Sequence, residues 1–174
     1  MGIPARISTA VLVFVALTAA GGASAVPARG STAPCASAGA RTEGHALLCL
    51  VNRARAEHGL PELRESTRLD RSSRLRALAI RRCAQFSHTP CGQSFRLVFV
   101  RAGYHGRSTG ENLGWGGGRL GSPARTLAAW CSSPPHRRNL LGRRWRQVGV
   151  ALVHAQHLFG ARDVTVWVLQ LGGP

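Results

Sequence analysis

The sequence predicts an α+β domain built in layers, and three observations carry that prediction. Apolar residues recur at helical spacing through the middle of the chain, from about residue 42 onward. The last third changes to β-branched, apolar runs of strand length. Between the two lies one glycine-flanked stretch, Gly110-Glu111-Asn112-Leu113-Gly114-Trp115, that reads as a further short strand leaving a loop. Helices first, a strand pair last and one more strand before it fit a layered α+β architecture.

The chain opens with Arg6, an apolar run over residues 11–20 and then Ala23-Ser24-Ala25, the pattern of a secretory signal peptide cleaved after Ala25. That run is too short to cross a bilayer comfortably, and no later stretch approaches the roughly 20 apolar residues that a transmembrane helix needs. A secreted, extracellular protein is expected. Residues 26–41 are rich in Pro, Ala, Gly and Ser and read as a flexible linker; residues 42–174 are long enough for one domain with a real core.

All 23 basic residues are arginine, a one-sided usage that a GC-rich genome produces without selection for a partner. Losing Arg6 with the leader leaves 22 arginines against 7 acids, a formal charge of +15. A field of that strength attracts polyanions, after export an anionic cell-wall polymer or membrane surface. No nucleic-acid motif or aromatic-basic interleaving appears, so no specific nucleic-acid partner is expected. A monomer is expected.

Five cysteines in an exported chain predict disulfides. Cys83 and Cys91 flank the Ser87-His88-Thr89-Pro90 turn, and Cys35 and Cys49 can pin the N-terminal segment to the first helix. Each bridge contributes on the order of 2–3 kcal/mol by loop closure. Cys131 is left over; following Trp130 in an apolar helical pattern, it reads as a buried unpaired thiol, with a reactive nucleophile as the alternative.

In chain order, a first helix is expected from Thr42, with Leu47, Leu50, Val51 and Ala54 on one apolar face, stopped by Gly59 and Pro61. A second runs from an N-cap at Ser66 or Thr67 to about Phe86, turning Leu69, Ala77, Ile80 and Ala84 inward. Ser94 then caps a shorter helix through Ala102, ended by Gly103. Ser122 and Pro123 occupy the N-cap and N1 positions of a helix reaching Trp130, broken by Ser132-Ser133-Pro134-Pro135. One more helical turn carries His136 and ends near Gly142. Residues 147–153 and 164–171 are two antiparallel strands, with His154 and His157 in the connection between them.

A carboxylate between glycines, in a chain with 7 acids, makes Glu111 the first candidate for function. His88 and His136 lie in turns about equally far to either side, and the three are expected to converge. Two neutral imidazoles and a carboxylate form the ligand set of a catalytic-type zinc site, whose fourth position holds a water of lowered pKa. Glu111 would then be a ligand or the base that deprotonates that water. Without a metal, Glu111 bonds an imidazole to make a polar cleft or an acid/base pair, or simply cross-links loops. Ser87, Ser133 and Cys131 adjoin the histidines, but no nucleophile-elbow or papain-like motif surrounds them.

The remaining candidates read as structure. His45, His58 and His105 show no partner in the sequence. Trp115, Trp130, Trp145 and Trp167 are expected mainly in the core. Arg137, Arg138, Arg143, Arg144 and Arg146 form a solvated basic run beside His136.

Several motifs in order resemble the CAP superfamily, and more narrowly its bacterial SCP-like extracellular branch. They are Leu48-Cys49-Leu50-Val51-Asn52-Arg53-Ala54-Arg55 with Gly59-Leu60-Pro61, Phe86-Ser87-His88, Gly103-Tyr104, Gly110-Glu111-Asn112, Trp130 with Ser133-Pro134-Pro135-His136-Arg137-Arg138-Asn139, and Val148-Gly149-Val150. The resemblance implies a three-layer α-β-α sandwich with a central antiparallel sheet and a surface cleft. In that family the cleft holds two histidines and two acids, proposed to bind Zn2+ or Ca2+. His88 and Glu111 match the first histidine and the Gly-Glu-Asn glutamate, and His136 takes the bacterial Ser-Pro-Gly-His position with Pro135 in place of glycine. The family's later histidine would fall near Val166 and Trp167 and its second acid at 131–134; this chain has neither.

Two functions follow. The favoured one is an extracellular binding module for a cell-surface, cell-wall or lipid-like ligand; the other is a divalent-metal-dependent hydrolase of peptide or wall substrate using His88, Glu111 and His136.

Overall fold

The computed structural model describes Cys35 and residues 43–174. The expected signal peptide and nearly all of the linker therefore lie outside the described residues. Within them the order is α1 (Glu43–Glu57), β1 (Arg64–Glu65), α2 (Thr67–Cys83), α3 (Leu97–Arg101), β2 (Ser108–Gly117), α4 (Pro123–Ser132), α5 (Pro134–Leu140), β3 (Gln147–Leu158) and β4 (Ala161–Gly173). No helix among the described residues is long and apolar enough to cross a membrane.

Strand β4 carries the architecture. Every residue from Val164 to Gly173 is buried, because the strand is apolar on both sides of its period-2 alternation. Val164, Val166 and Val168 pack with Ala77 and Ile80 of α2, while Trp167, Leu169 and Leu171 pack with Leu47 and Val51 of α1, Trp130 of α4 and Leu140 of α5. A sheet so covered on both faces is the middle layer of an α-β-α sandwich. Its strand order is β1-β3-β4-β2. The β3/β4 and β4/β2 pairs are antiparallel, as expected, and the two-residue β1 adds a parallel edge beside Gln147 and Val148.

Differences from the sequence reading have local causes. Helix α2 ends at Cys83, short of Phe86, because Ala84 adopts a left-handed conformation (φ 48°) and its chain turns out to solvent. Ala84 is thus exposed, not an inward residue. On α1 the buried positions are Leu47, Leu48, Val51 and Arg55, with Leu50 and Ala54 half-buried. Arg55 is wholly buried because Pro61, Leu140 and Gly142 present it with carbonyls at 3.1, 2.7 and 3.2 Å. Helix α3 starts at Leu97, whose N–H donates to the Ser94 carbonyl. Strand β2 is ten residues long because it pairs with β4 along its whole length. His154 and His157 lie within β3, and the β3–β4 connection shrinks to Phe159 and Gly160, both at positive φ.

Both expected disulfides form, with Cα–Cα distances of 5.5 Å for Cys35–Cys49 and 5.6 Å for Cys83–Cys91. Cys131 is free and half-buried, and burial raises its thiol pKa.

Helix α2 crosses β3 at Gly149, where any β-carbon would collide with the backbone of Leu69 and Asp70. The crossing is fixed by Ser73 Oγ, which donates to the Gly149 carbonyl at 3.0 Å, and by Asp70 Oδ1, which accepts the Val150 N–H at 3.0 Å. Gly149→Ala is therefore expected to cost about 3 kcal/mol through forced separation of helix and sheet. Urea unfolding of the variant measures this; a loss within experimental error of zero would show that the helix can shift freely.

Candidate functional site

The Gly110-Glu111-Asn112 tripeptide sits in β2 and faces two layers at once. Gly110 lies against the Trp145 ring, and a β-carbon there would come within 2.9 Å of it. Glu111 points to the α2 side of the sheet. Asn112, one residue on, points to the α5 side.

The Glu111 side chain is wholly buried. Its Oε2 accepts Arg76 Nε at 3.1 Å and Gln170 Nε2 at 2.7 Å, and its Oε1 accepts His88 Nδ1 at 2.7 Å. Arg76 comes from α2 and is itself fully buried; its Nη2 donates to the Phe95 carbonyl at 2.7 Å, and its guanidinium lies 5.8 Å from the Phe95 ring centre. Gln170 stands opposite Glu111 in the β2/β4 register. His88 is about half exposed and rides on the loop closed by Cys83 and Cys91, eight residues apart. The site is thus a buried carboxylate held by one guanidinium and one amide, with one imidazole reaching solvent.

His136 is placed differently. It is the third residue of α5, where Pro134 and Pro135 occupy the first turn. Its Nδ1 is hydrogen-bonded to Ser133 Oγ at 2.8 Å, and its carbonyl accepts Asn112 Nδ2 at 3.1 Å. Asn139 Nδ2, on the same helix, donates to the Glu111 carbonyl at 3.2 Å and to Asn112 Oδ1 at 3.0 Å. Burial, and secondarily the charge of nearby His88, push the His136 pKa below its ordinary value. Ser133 is consequently a partner of His136, yet the Glu111 carboxylate bonds His88 and not His136, so no continuous acid-base-nucleophile relay runs through the three.

Glu111 is not free to ligate the divalent cation that the resemblance implies. Among the described residues no group of three or more His, Cys, Asp and Glu can hold a metal ion. Glu111 Oε1 is shared with an imidazole proton and Oε2 with two donors, so its oxygens are committed to neighbours that a cation would have to displace.

Three of the other histidines have partners. His45 Nε2 lies 3.5 Å from Glu65, His58 Nδ1 donates to the Ala54 carbonyl at 2.8 Å, and His154 sits between Thr165 at 3.1 Å and Glu43 at 3.4 Å.

Two members of the site were not anticipated, Arg76 and Gln170. Each breaks a periodic pattern that the sequence does display. Arg76 falls seven residues after Leu69 and four before Ile80, on the inward stripe of α2; Gln170 continues the inward alternation of Val164, Val166 and Val168. A polar residue at an inward position needs a buried partner.

Beside this cluster is a groove of about 250 Å³ between β2 and α4, lined by Phe86, Leu113, Trp115, Leu120, Trp130 and His136 among others, with Arg125 on its rim. Phe86 packs edge to face on Trp115 and on Phe159, and Trp115 and Phe159 meet at a tilt, with ring centres 5.2 to 6.5 Å apart across the three pairs. Phe86, Trp115 and Leu120 are 43%, 40% and 68% exposed, so three of the four exposed large apolar residues among those described gather at one end of the sheet.

Comparison with known proteins now decides the family. The model for the CAP cysteine-rich secretory protein family matches residues 48–171. The chain belongs to the CAP family. Solved structures agree on the fold. An extracellular protein containing an SCP domain from Bacillus anthracis superposes with a TM-score of 0.63 at 20% identity, over 76% of this chain and 40% of that one. An outer surface protein of Borrelia burgdorferi gives 0.64 at 18% identity, over 75% and 92%. A cysteine-rich secretory protein of Staphylococcus aureus gives 0.61 at 17%, over 76% and 38%. This CAP domain thus spans about two-fifths of the Bacillus and Staphylococcus chains. Comparison with curated proteins gives no significant match.

Two outcomes are expected. Arg76→Ala and Glu111→Ala should each cost about 3–5 kcal/mol, since each leaves an uncompensated buried charge, and the double variant should cost clearly less than their sum. A urea double-mutant cycle measures the coupling. His136 has a folded pKa below its unfolded value of 6.5, so the unfolded chain binds the extra proton more readily. Its contribution is present at neutral pH and fades as pH falls through about 6.5 toward the lower folded value. His136→Asn should flatten that part of the stability profile, read from unfolding midpoints across pH 5 to 7.5, roughly the range of histidine titration.

Proposed function

We propose that this protein is a secreted binding module of the CAP family whose groove between β2 and α4 takes the apolar chain of a lipid-like extracellular ligand. The observation that carries the reading is the gathering of Phe86, Trp115 and Leu120, all well exposed, around one groove. A large apolar side chain left in water at one such place marks a binding surface rather than a packing remainder. Arg125 on the rim, with the half-buried His136 behind it, suits a ligand whose polar end is anionic.

The buried ion pair supports the same reading from the other side. A carboxylate whose oxygens already accept Arg76, Gln170 and His88 is suited to holding loops, and less to taking protons from a substrate. Export is supported by the leader-like N-terminus, the two disulfides and the extracellular and outer-surface descriptions of the structural relatives.

Trp115 supplies the test, because Trp130, Trp145 and Trp167 are at most 2% exposed. A fluorescent long-chain fatty acid should quench Trp115 emission saturably and independently of chelator. Trp115→Ala and Leu120→Asp should weaken capture about tenfold, measured by direct titration of the probe. Chelator-sensitive turnover of a peptide or wall substrate, lost in Glu111→Gln, would instead favour a metal-dependent hydrolase.

A further inference from the structure

The opposite end of the sheet carries a second concavity, unrelated to the groove or to Glu111. It is about 690 Å³, against about 250 Å³ for the groove. It opens where β1, the start of β3 and the end of β4 come together, and the chain builds it deliberately. Gly106 and Gly172 both lie against the Tyr104 hydroxyl, where a β-carbon on either would overlap it. These two glycines let the Tyr104 ring lie across the sheet end as a floor. Its hydroxyl donates to Gln147 Oε1 at 3.1 Å, and burial raises the phenol pKa, so the floor is polar and uncharged.

The wall is cationic. Arg64 of β1, Arg68 of the first turn of α2 and Arg146 just before β3 line it, together with His105; Glu62 is the one acidic side chain on the lining. None of the three guanidiniums forms a salt bridge with a carboxylate among the described residues. Arg146 is held in place, its Nη1 donating to the carbonyls of Arg143 and Trp145 at 2.6 and 2.9 Å. Arg64 and Arg68 are exposed at the same opening. The charge collected here is felt inside the protein: after burial, Arg146 is the second cause lowering the pKa of the buried Arg55.

We propose that this cavity binds a phosphate-bearing ligand through Arg64, Arg68 and Arg146. Guanidiniums arriving from three separate segments suit a tetrahedral group with several oxygens better than a two-oxygen carboxylate. The volume exceeds what a lone phosphate fills, so the phosphate is attached to a larger group. The same chemistry occurs on a soluble phosphoester or polymer and on a phospholipid headgroup.

The test separates this site from the protein's general positive field. Calorimetric titration of the full exported chain with inorganic pyrophosphate, at near-physiological salt, should give saturable one-site binding. Arg64→Ala/Arg68→Ala should weaken it at least about tenfold. Arg119→Ala/Arg162→Ala removes the same charge at the groove end of the sheet and should leave it within about twofold. Thermal unfolding of both variants confirms that each folds. Competition by glycerol phosphate assigns a soluble phosphoester; binding confined to vesicles of phosphatidylglycerol in phosphatidylcholine assigns a headgroup. Equal loss in the two double variants, or no binding to pyrophosphate or either vesicle-borne or soluble phosphoester, overturns the proposal.

Discussion

The buried Arg76–Glu111 ion pair is the constraint on which the rest of this domain depends. Both side chains are fully removed from water, and a guanidinium and a carboxylate in that position are tolerable only when most of their remaining hydrogen-bonding capacity is met. Gln170 and His88 take up the rest of the carboxylate, and the Phe95 carbonyl and ring take up part of the guanidinium. The pair therefore fixes four separate pieces of chain: α2, the edge strand β2, the central strand β4 and the disulfide-closed loop that carries His88. Hydrophobic packing alone would hold α2 on the sheet; the ion pair, together with the Ser73 and Asp70 hydrogen bonds to β3, sets its position along the sheet.

The other face of β2 is organised by amides. Asn112 and Asn139 bond each other and between them reach the backbone of His136 and Glu111. Helix α5 is only seven residues long, too short to be stable by itself, and these bonds together with Leu140 in the core dock it. One tripeptide thus joins the two helical layers through the edge of the sheet. The carboxylate thus has a structural role of its own: it places the residues around it, and the groove next to it is apolar.

The long strands make the domain polar in a geometric sense. One end gathers Phe86, Trp115, Leu120 and Phe159; the other gathers Arg64, Arg68 and Arg146. Strands β3 and β4, twelve and thirteen residues long and paired nearly throughout, hold the two ends rigidly apart.

Much of this could be read along the chain. The helix stop at Gly59, the Ser122-Pro123 start, the β-branched strands, both disulfides and the prominence of Gly110-Glu111-Asn112 are local or short-range signals, and the α-β-α sandwich followed from motifs in order; the stop at Cys83 was not legible, because it rests on the left-handed turn at Ala84. His88 and His136 could both be expected near Glu111, but which imidazole the carboxylate bonds was not legible; the structure gives it to His88. His136 could be placed in the same region but not oriented, since its bond to Ser133 depends on how α4 meets α5. Sequence by itself thus determined the elements, their layers and which acid matters. Only the tertiary structure decided which arginines are buried and what they hold. Arg76 and Arg55 look like solvated charges until residues 35 and 85 positions away supply a carboxylate and a carbonyl. Local periodicity records which side of an element a residue lies on; the partner that makes a buried charge bearable comes from elsewhere in the chain, and only folding brings it there.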